Sequence, residues 1–318
     1  MSLRRLGVLL LVLQAGCNLW SGKPAPLFPV LLDGRWGYIN SRGELVIAPQ
    51  FAIAGRFASG RAPVLPDLAG GKWGYIDENG QYAIPPQFDW AEGFTDEQLA
   101  LVKLGNRYGY IDRSGRYVIN PQFDDARSFS EKRAAVRIGD RWGYIDPSGR
   151  LVISPQFEAA QNFHEGLAAV RIAGLWGYIN TRSQIVINPQ FPEAGEFALS
   201  RAAVKVGSRW GYIDPSGRLV INPQFDWAGK FSEDRAVVKL GSLYGYIGTR
   251  GQFLINPRFG QAQEFHQSRA AVYIDSGFGY IDPDGTVVVP PHFTLAFNFE
   301  NGLAAVINRE LKLGYIDR

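Results

Sequence analysis

The chain carries one cysteine, Cys17, and three histidines in 318 residues. A lone thiol closes no disulfide within the chain and cannot build a cysteine zinc site. His164, His266 and His292 have neither a cysteine nor a second histidine at ligand spacing, and they stand where sister segments hold residues such as Ser130, Ser232 and Gln156. They read as substitutions at variable, solvent-facing slots, so neither a metal nor a catalytic histidine is expected. Phosphate loops, a G-x-S-x-G elbow and a dinucleotide fingerprint are missing, and with them the usual signs of an enzyme or a bound cofactor. No apolar run approaches the roughly 20 residues that span a bilayer. Excess charge is missing too: 33 Lys and Arg face 30 Asp and Glu, and the basic count falls to 31 once Arg4 and Arg5 are set aside. So neutral a chain lacks the cationic surplus that phosphate backbones demand, which argues against nucleic acid as a partner.

The N-terminus does contain a pattern, MSLRRLGVLLLVLQAGC: two arginines, an apolar run over residues 6–13, then small residues. This is the order of a secretory signal peptide occupying residues 1–16. The segment Leu13, Gln14, Ala15, Gly16, Cys17 resembles a bacterial lipobox, the site at which a cysteine is diacylated and becomes the first mature residue; Gln14 departs from it, because the leucine lies one step further back. The resemblance implies an exported protein of the bacterial cell envelope, held to the membrane only by a lipid on Cys17. The alternative is an ordinary signal peptide with an incidental cysteine. A chain without further thiols suits an oxidising compartment, and residues 17–27, with Gly, Pro and Ser, suit a tether.

From residue 28 to 318 one motif dominates. A bulky residue followed by Gly-Tyr-Ile occurs nine times, with glycines at Gly37, Gly74, Gly109, Gly143, Gly177, Gly211, Gly245, Gly279 and Gly314, and seven of the eight gaps are 34 or 35 residues. The bulky position is Trp36, Trp73, Tyr108, Trp142, Trp176, Trp210, Tyr244, Phe278 and Leu313, as expected of a core slot that tolerates any large apolar group. The period makes this one domain of eight full repeats and a truncated ninth.

Within one unit, residues 134–138 alternate in the manner of a strand, Gly139-Asp140 marks a two-residue hairpin, and residues 141–145 form a second strand. Asp146-Pro147-Ser148-Gly149 has the residues of a type I turn. Residues 151–154 make a third strand, which Pro155 is expected to end. Phe157, Ala160 and Phe163 then recur at spacing three, as do their counterparts in all eight complete copies, and this period predicts one or two helical turns. The glycine of the motif is expected where a neighbouring aromatic lies over the strand. The fold class is therefore all-β: an open solenoid or superhelix of units of about 34 residues, each a three-stranded meander plus a short helical turn. The alternative is a closed, propeller-like ring, disfavoured because 34 residues is short for a four-stranded blade.

The linked elements WGYID, the Asp-Pro-Ser-Gly turn, VINPQF, the Phe-Ala-Phe tail and the Ala-Ala-Val strand resemble the WG-repeat (KWG-type) family of bacterial proteins. Residues 180–183 lack the turn glycine, and Gly248 replaces the turn aspartate. The resemblance implies β-rich modules, often on exported proteins, and transfers no catalytic residue.

Other recurring groups have plain structural readings. Asp112, Asp146, Asp214 and Asp282 open the turns, where a carboxylate caps backbone N–H groups. Arg35, Lys72, Arg107, Arg141, Arg209 and Lys312 precede the bulky residue and could form a cationic ladder, read first as a solvated edge that discourages aggregation. Trp90 and Trp227 differ, occurring at one tail position in only two repeats, and are candidate ligand-binding aromatics. The expected function is a non-catalytic repeat protein presenting an extended surface to a protein or cell-envelope polymer. A carbohydrate or peptidoglycan binder using exposed aromatics is the alternative.

Overall fold

Short strands joined by tight turns let 34 residues make four strands rather than three. In the computed structural model, which describes residues 26–318, a typical unit consists of Ala159–Ala160, Leu167–Ile172, Leu175–Asn180 and Ile185–Phe191 in antiparallel order. The hairpin between the second and third strands has Ala173 and Gly174 both at positive φ, the geometry a two-residue turn needs to match strand twist. Seven such sheets follow a first sheet of three strands, Phe28–Leu32, Arg35–Ile39 and Leu45–Phe51, and precede a last one, Leu295–Glu300, Leu303–Ile307 and Leu313–Asp317.

The helical turn expected at the Phe-Ala-Phe tail is not formed: the first Phe, such as Phe225, ends the fourth strand of one sheet, and the Ala that follows, such as Ala228, lies in the first strand of the next. In its longer examples Ala228 pairs with Val238 and Phe231 with Ala236, so three steps on one strand answer two on its partner. A β-bulge adds the extra residue and puts Ala and Phe on the same side, which is what makes a strand imitate a period of three. Pro155 does not end its strand either. Trp142 pairs with Phe157 and Tyr144 with Ile153, and the proline sits in the bulge between them, where no ladder donor is required. The motif glycine faces this bulge rather than an aromatic ring: a Cβ on Gly211 would lie 2.5 Å from the Ile221 carbonyl oxygen and 2.8 Å from the Pro223 nitrogen.

Each sheet uses both faces. Tyr178 and Ile187 join Phe197, Val204 and Ile213 of the following sheet in one apolar cluster, and Ile179, with Phe163 of its own sheet, joins Tyr144 and Phe157 of the preceding one. Contacts between neighbouring sheets concentrate on the first strands, while the fourth strands expose pairs such as Ile185-Val186, Leu219-Val220 and Phe253-Leu254. The first strands therefore lie toward the axis and the fourth at the rim.

The open solenoid is overturned at the ends. Phe28 and Tyr315 meet edge to face at 5.5 Å, Phe28, Val30 and Ile39 pack with Leu303 and Tyr315, and the Tyr315 hydroxyl donates to the Pro29 carbonyl at 2.6 Å. The described chain is a ring of nine sheets, a nine-bladed β-propeller. The length objection fails because a first strand can be two residues long and a turn two more. The incomplete ninth unit is a closing partner for the first sheet, not a free cap. Residues 1–16, Cys17 and most of the tether over 17–27 lie outside the described residues.

Candidate functional site

The motif tyrosine joins neighbouring sheets. The Tyr212 hydroxyl donates to the Gly229 carbonyl at 2.7 Å, 17 residues on and in the next sheet, and its ring meets Phe231 edge to face at 5.0 Å. The same bond and ring pair occur from Tyr38 to Gly55 and Phe57 and from Tyr144 to Gln161 and Phe163. Phe28 and Pro29 supply both functions to Tyr315 at the closing seam. Burial raises the Tyr212 phenol far above its ordinary value, and takes that of the less buried Tyr315 to about 12.

Turn carboxylates and edge cations are engaged likewise. Asp214 accepts from the Ser216 hydroxyl at 2.5 Å, the Ser216 and Arg218 backbone N–H groups and the Arg218 guanidinium. The Ser216 hydroxyl leads the influences that outweigh burial and hold this carboxyl far below the usual range. In the cationic ladder Lys72 pairs with Asp89, Arg107 with Asp124, Arg209 with Asp226 at 2.5 Å and Lys312 with Glu310 at 2.8 Å, while Arg35 donates to the Pro66 carbonyl. Sequence reasoning missed a belt of bonds one period apart near the axis: Glu131 accepts from the Glu165 and Gly166 N–H groups, and Glu165 accepts from Ser200.

Trp90 and Trp227 are 36% and 42% exposed and lie on first strands. Each belongs to a small shelf of the same composition. Trp90 meets Tyr108 edge-on at 6.3 Å with the Lys103 ammonium 5.3 Å from the tyrosine centroid; Trp227 meets Tyr244 at 6.2 Å with Lys239 at 5.4 Å. Tyr108 and Tyr244 are the two places where the bulky motif residue is tyrosine, so the smaller ring makes room for the added tryptophan. That pairing was legible by comparing repeats. Trp227, Lys239 and Tyr244 border an open hollow of about 420 Å³ with Gly260, Gln261 and Ala262. Of the other bulky positions, Trp210 and Phe278 are buried, whereas Trp36, Trp73, Trp142 and Trp176 are half-buried against the clusters.

A family model described as "WG containing repeat" matches residues 36–65, 73–108, 108–142, 142–176, 176–210, 210–244, 244–276 and 278–310. The chain belongs to the WG-repeat family. No curated protein matches it significantly. Among solved structures, a eukaryotic initiation factor aligns over 83% of this chain and 85% of its own with a TM-score of 0.60 at 13% identity. Dihydro-heme d1 dehydrogenase NirN, in complex with DHE, aligns over 96% of this chain and 77% of its own, with a TM-score of 0.51 at 11% identity. Both likenesses concern the fold alone.

The seam of the WG-repeat ring has its own cavity. Beside the first sheet, which has three strands among the described residues, a space of about 200 Å³ opens between Phe28, Phe57, Leu303 and Tyr315, with Arg56, Glu78, Asn298 and Glu300 at its margin. Arg56 and Glu300 form an exposed ion pair across it. The histidines do not converge. His164 Nε2 lies 3.3 Å from Glu196, His266 Nε2 lies 3.7 Å from Glu264, and His292, expected at the surface, has a buried Nε2 without a partner among the described residues.

Proposed function

We propose that this WG-repeat propeller is a non-catalytic binding scaffold of the bacterial cell envelope, exported and held by a lipid on Cys17, which presents its rim and faces to a protein or envelope polymer. The observation that carries the reading is how the repeated polar groups are used. Tyrosine hydroxyls, turn carboxylates and most of the ladder cations bond within or between sheets, so recurrence of these groups is accounted for by ring assembly. What repetition leaves over is surface. Replacing Cys17 by Ala should release the protein from membranes and abolish labelling by a radioactive fatty acid; unchanged labelling would sink the anchor.

The two Trp–Tyr–Lys shelves favour a second reading, in which a sugar ring stacks on Trp90 or Trp227 while the lysine meets its hydroxyls or an acidic substituent. Titration with soluble peptidoglycan fragments, followed by tryptophan emission, separates the two. Saturable quenching lost in a Trp90→Ala, Trp227→Ala double variant supports the glycan. No response, with retained capture of an envelope protein, supports the protein partner.

A further inference from the structure

Three sheets neutralise the second-strand cation that stands beside the first strand. Arg137 lies 3.9 Å from Asp125, Arg171 lies 3.8 Å from Glu158, and Lys205 lies 2.6 Å from Glu193. In the third and seventh sheets a tryptophan takes this place: Trp90 pairs with Lys103 and Trp227 with Lys239. Neither ammonium has a carboxylate within 4 Å among the described residues, and each stands over a tyrosine ring instead. Asp226, next to Trp227 in the chain, is committed to Arg209 at 2.5 Å and to the Gly241 N–H at 2.6 Å. Exchanging an acid for tryptophan therefore leaves a positive charge beside an exposed indole.

The two shelves differ in what borders them toward the next sheet. Gly260 and Gln261 border the Trp227 shelf, and their equivalents at the Trp90 shelf are Asp124 and Asp125. Asp124 is held there by Arg107 and the Gly139 N–H. In the seventh sheet the cation of that pair has gone together with the acid, because Leu243 stands where Arg107 and Arg209 stand in theirs. With both members missing, the hollow of about 420 Å³ opens and no acid borders it. The indole is also held in place from behind, since a Cβ on Gly229 would lie 3.0 Å from the Trp227 ring.

We propose that the hollow at Trp227, Lys239 and Tyr244 binds a sugar ring that carries a carboxylate, as in a polysaccharide of uronic acids, and that the Trp90 shelf does not. The apolar C–H face of a pyranose lies on the exposed indole, and the Lys239 ammonium donates charge-assisted hydrogen bonds to the carboxylate. Gln261 adds an amide for the ring hydroxyls. At the Trp90 shelf the same ligand would meet Asp124 and Asp125, and like charges brought together oppose binding. The strands bearing Trp227, Lys239 and Tyr244 already pair with one another, so the site reads a ring and a charge rather than a peptide backbone. Residues 1–25 contain no Asp or Glu, so that part of the chain has no acidic side chain to offer. This inference deepens the glycan reading of the shelves and rests on it.

The test is calorimetric titration of the full chain with tetramers of galacturonate and of mannuronate, and with their methyl esters, which keep the ring and remove the charge. Saturable binding of at least one acid is expected, with its ester weaker by at least about tenfold. Trp227→Ala and Lys239→Gln should each weaken the acid at least about tenfold, while Lys239→Arg retains binding and Trp90→Ala changes it by no more than about twofold. Because these side chains lie at an exposed shelf, thermal melts of the variants should match the parent. Gly260→Asp, which restores the carboxylate of the other repeats, should weaken the acid and spare the ester. Equal binding of acid and ester overturns the proposal, as does equal loss in Trp90→Ala and Trp227→Ala. A hexaglutamate peptide that binds as tightly as the sugar acid also overturns it, and assigns the hollow to an acidic protein segment. If neither acid binds while peptidoglycan fragments quench the tryptophans, this proposal fails and the glycan reading stands; if none of them binds, both fail.

Discussion

Ser183 stands where the other units carry a turn glycine and adopts φ 65°. A side chain in the left-handed region costs roughly 1 kcal/mol relative to glycine. Ser183→Gly is accordingly expected to stabilise the chain by about 1 kcal/mol in urea denaturation, and a loss of stability would show that the serine hydroxyl makes a contact worth more than the strain. The tyrosines make a second prediction at this scale. Burial raises Tyr38, Tyr75, Tyr110, Tyr144, Tyr178, Tyr212, Tyr246 and Tyr280 well above the unfolded phenol value near 10. A raised folded value means that the stabilisation is complete below pH 10 and declines above it, as the unfolded chain ionises and the folded chain does not. Each tyrosine should subtract about 1.4 kcal/mol per pH unit above 10. Unfolding between pH 10 and 12, followed by tyrosinate absorbance and circular dichroism together, should be steep and simultaneous in both signals; ionisation that precedes loss of structure would contradict burial of these hydroxyls.

At the scale of the element, the fourth strand explains the glycine. Gly211→Ala pushes a methyl to within 2.5 Å of the Ile221 carbonyl, which is backbone and cannot swing aside. The expected cost is about 3 kcal/mol or more. Gly314→Ala makes the same chemical change where nothing among the described residues lies within 4 Å of the added carbon, and should cost little. Thermal melts of the two variants test this directly, and equal destabilisation would mean that the glycine is selected for strand conformation rather than for the neighbour.

At the scale of the molecule, closure makes the number of repeats matter. Nine sheets divide the circle into steps of about 40°, and eight would require about 45°. Deleting residues 143–176 rejoins Trp142 to the next Gly-Tyr-Ile without breaking a strand. In an open array every interface would survive that deletion. In the ring, each interface must open its angle or the seam at Tyr315 and Pro29 must part. The shortened chain should melt well below the parent and lose hydrogen-exchange protection at Val30 and Val306; unchanged protection would show that the seam is indifferent to repeat number.

Features that depend on a few neighbouring residues were legible in the chain. Asp146-Pro147-Ser148-Gly149 makes its turn, Gly139-Asp140 its hairpin and Tyr144 its strand because local sterics and short-range hydrogen bonds decide them. The Phe-Ala-Phe tail misled because its first step crosses from one sheet to the next and its second spans a bulge, so two different features share the spacing of a helical turn, and only the partner strands reveal them. The tryptophan shelves were legible in principle, since Trp90 with Tyr108 and Trp227 with Tyr244 vary together, and a two-residue hairpin sets Lys103 opposite Tyr108 and Lys239 opposite Tyr244; what the chain hides is that the tryptophan's strand pairs on the far side of the lysine's. Ring closure belongs to the tertiary structure alone: each sheet turns on its neighbour by a modest angle, no residue carries that angle, and only its sum over nine interfaces brings Tyr315 to Pro29.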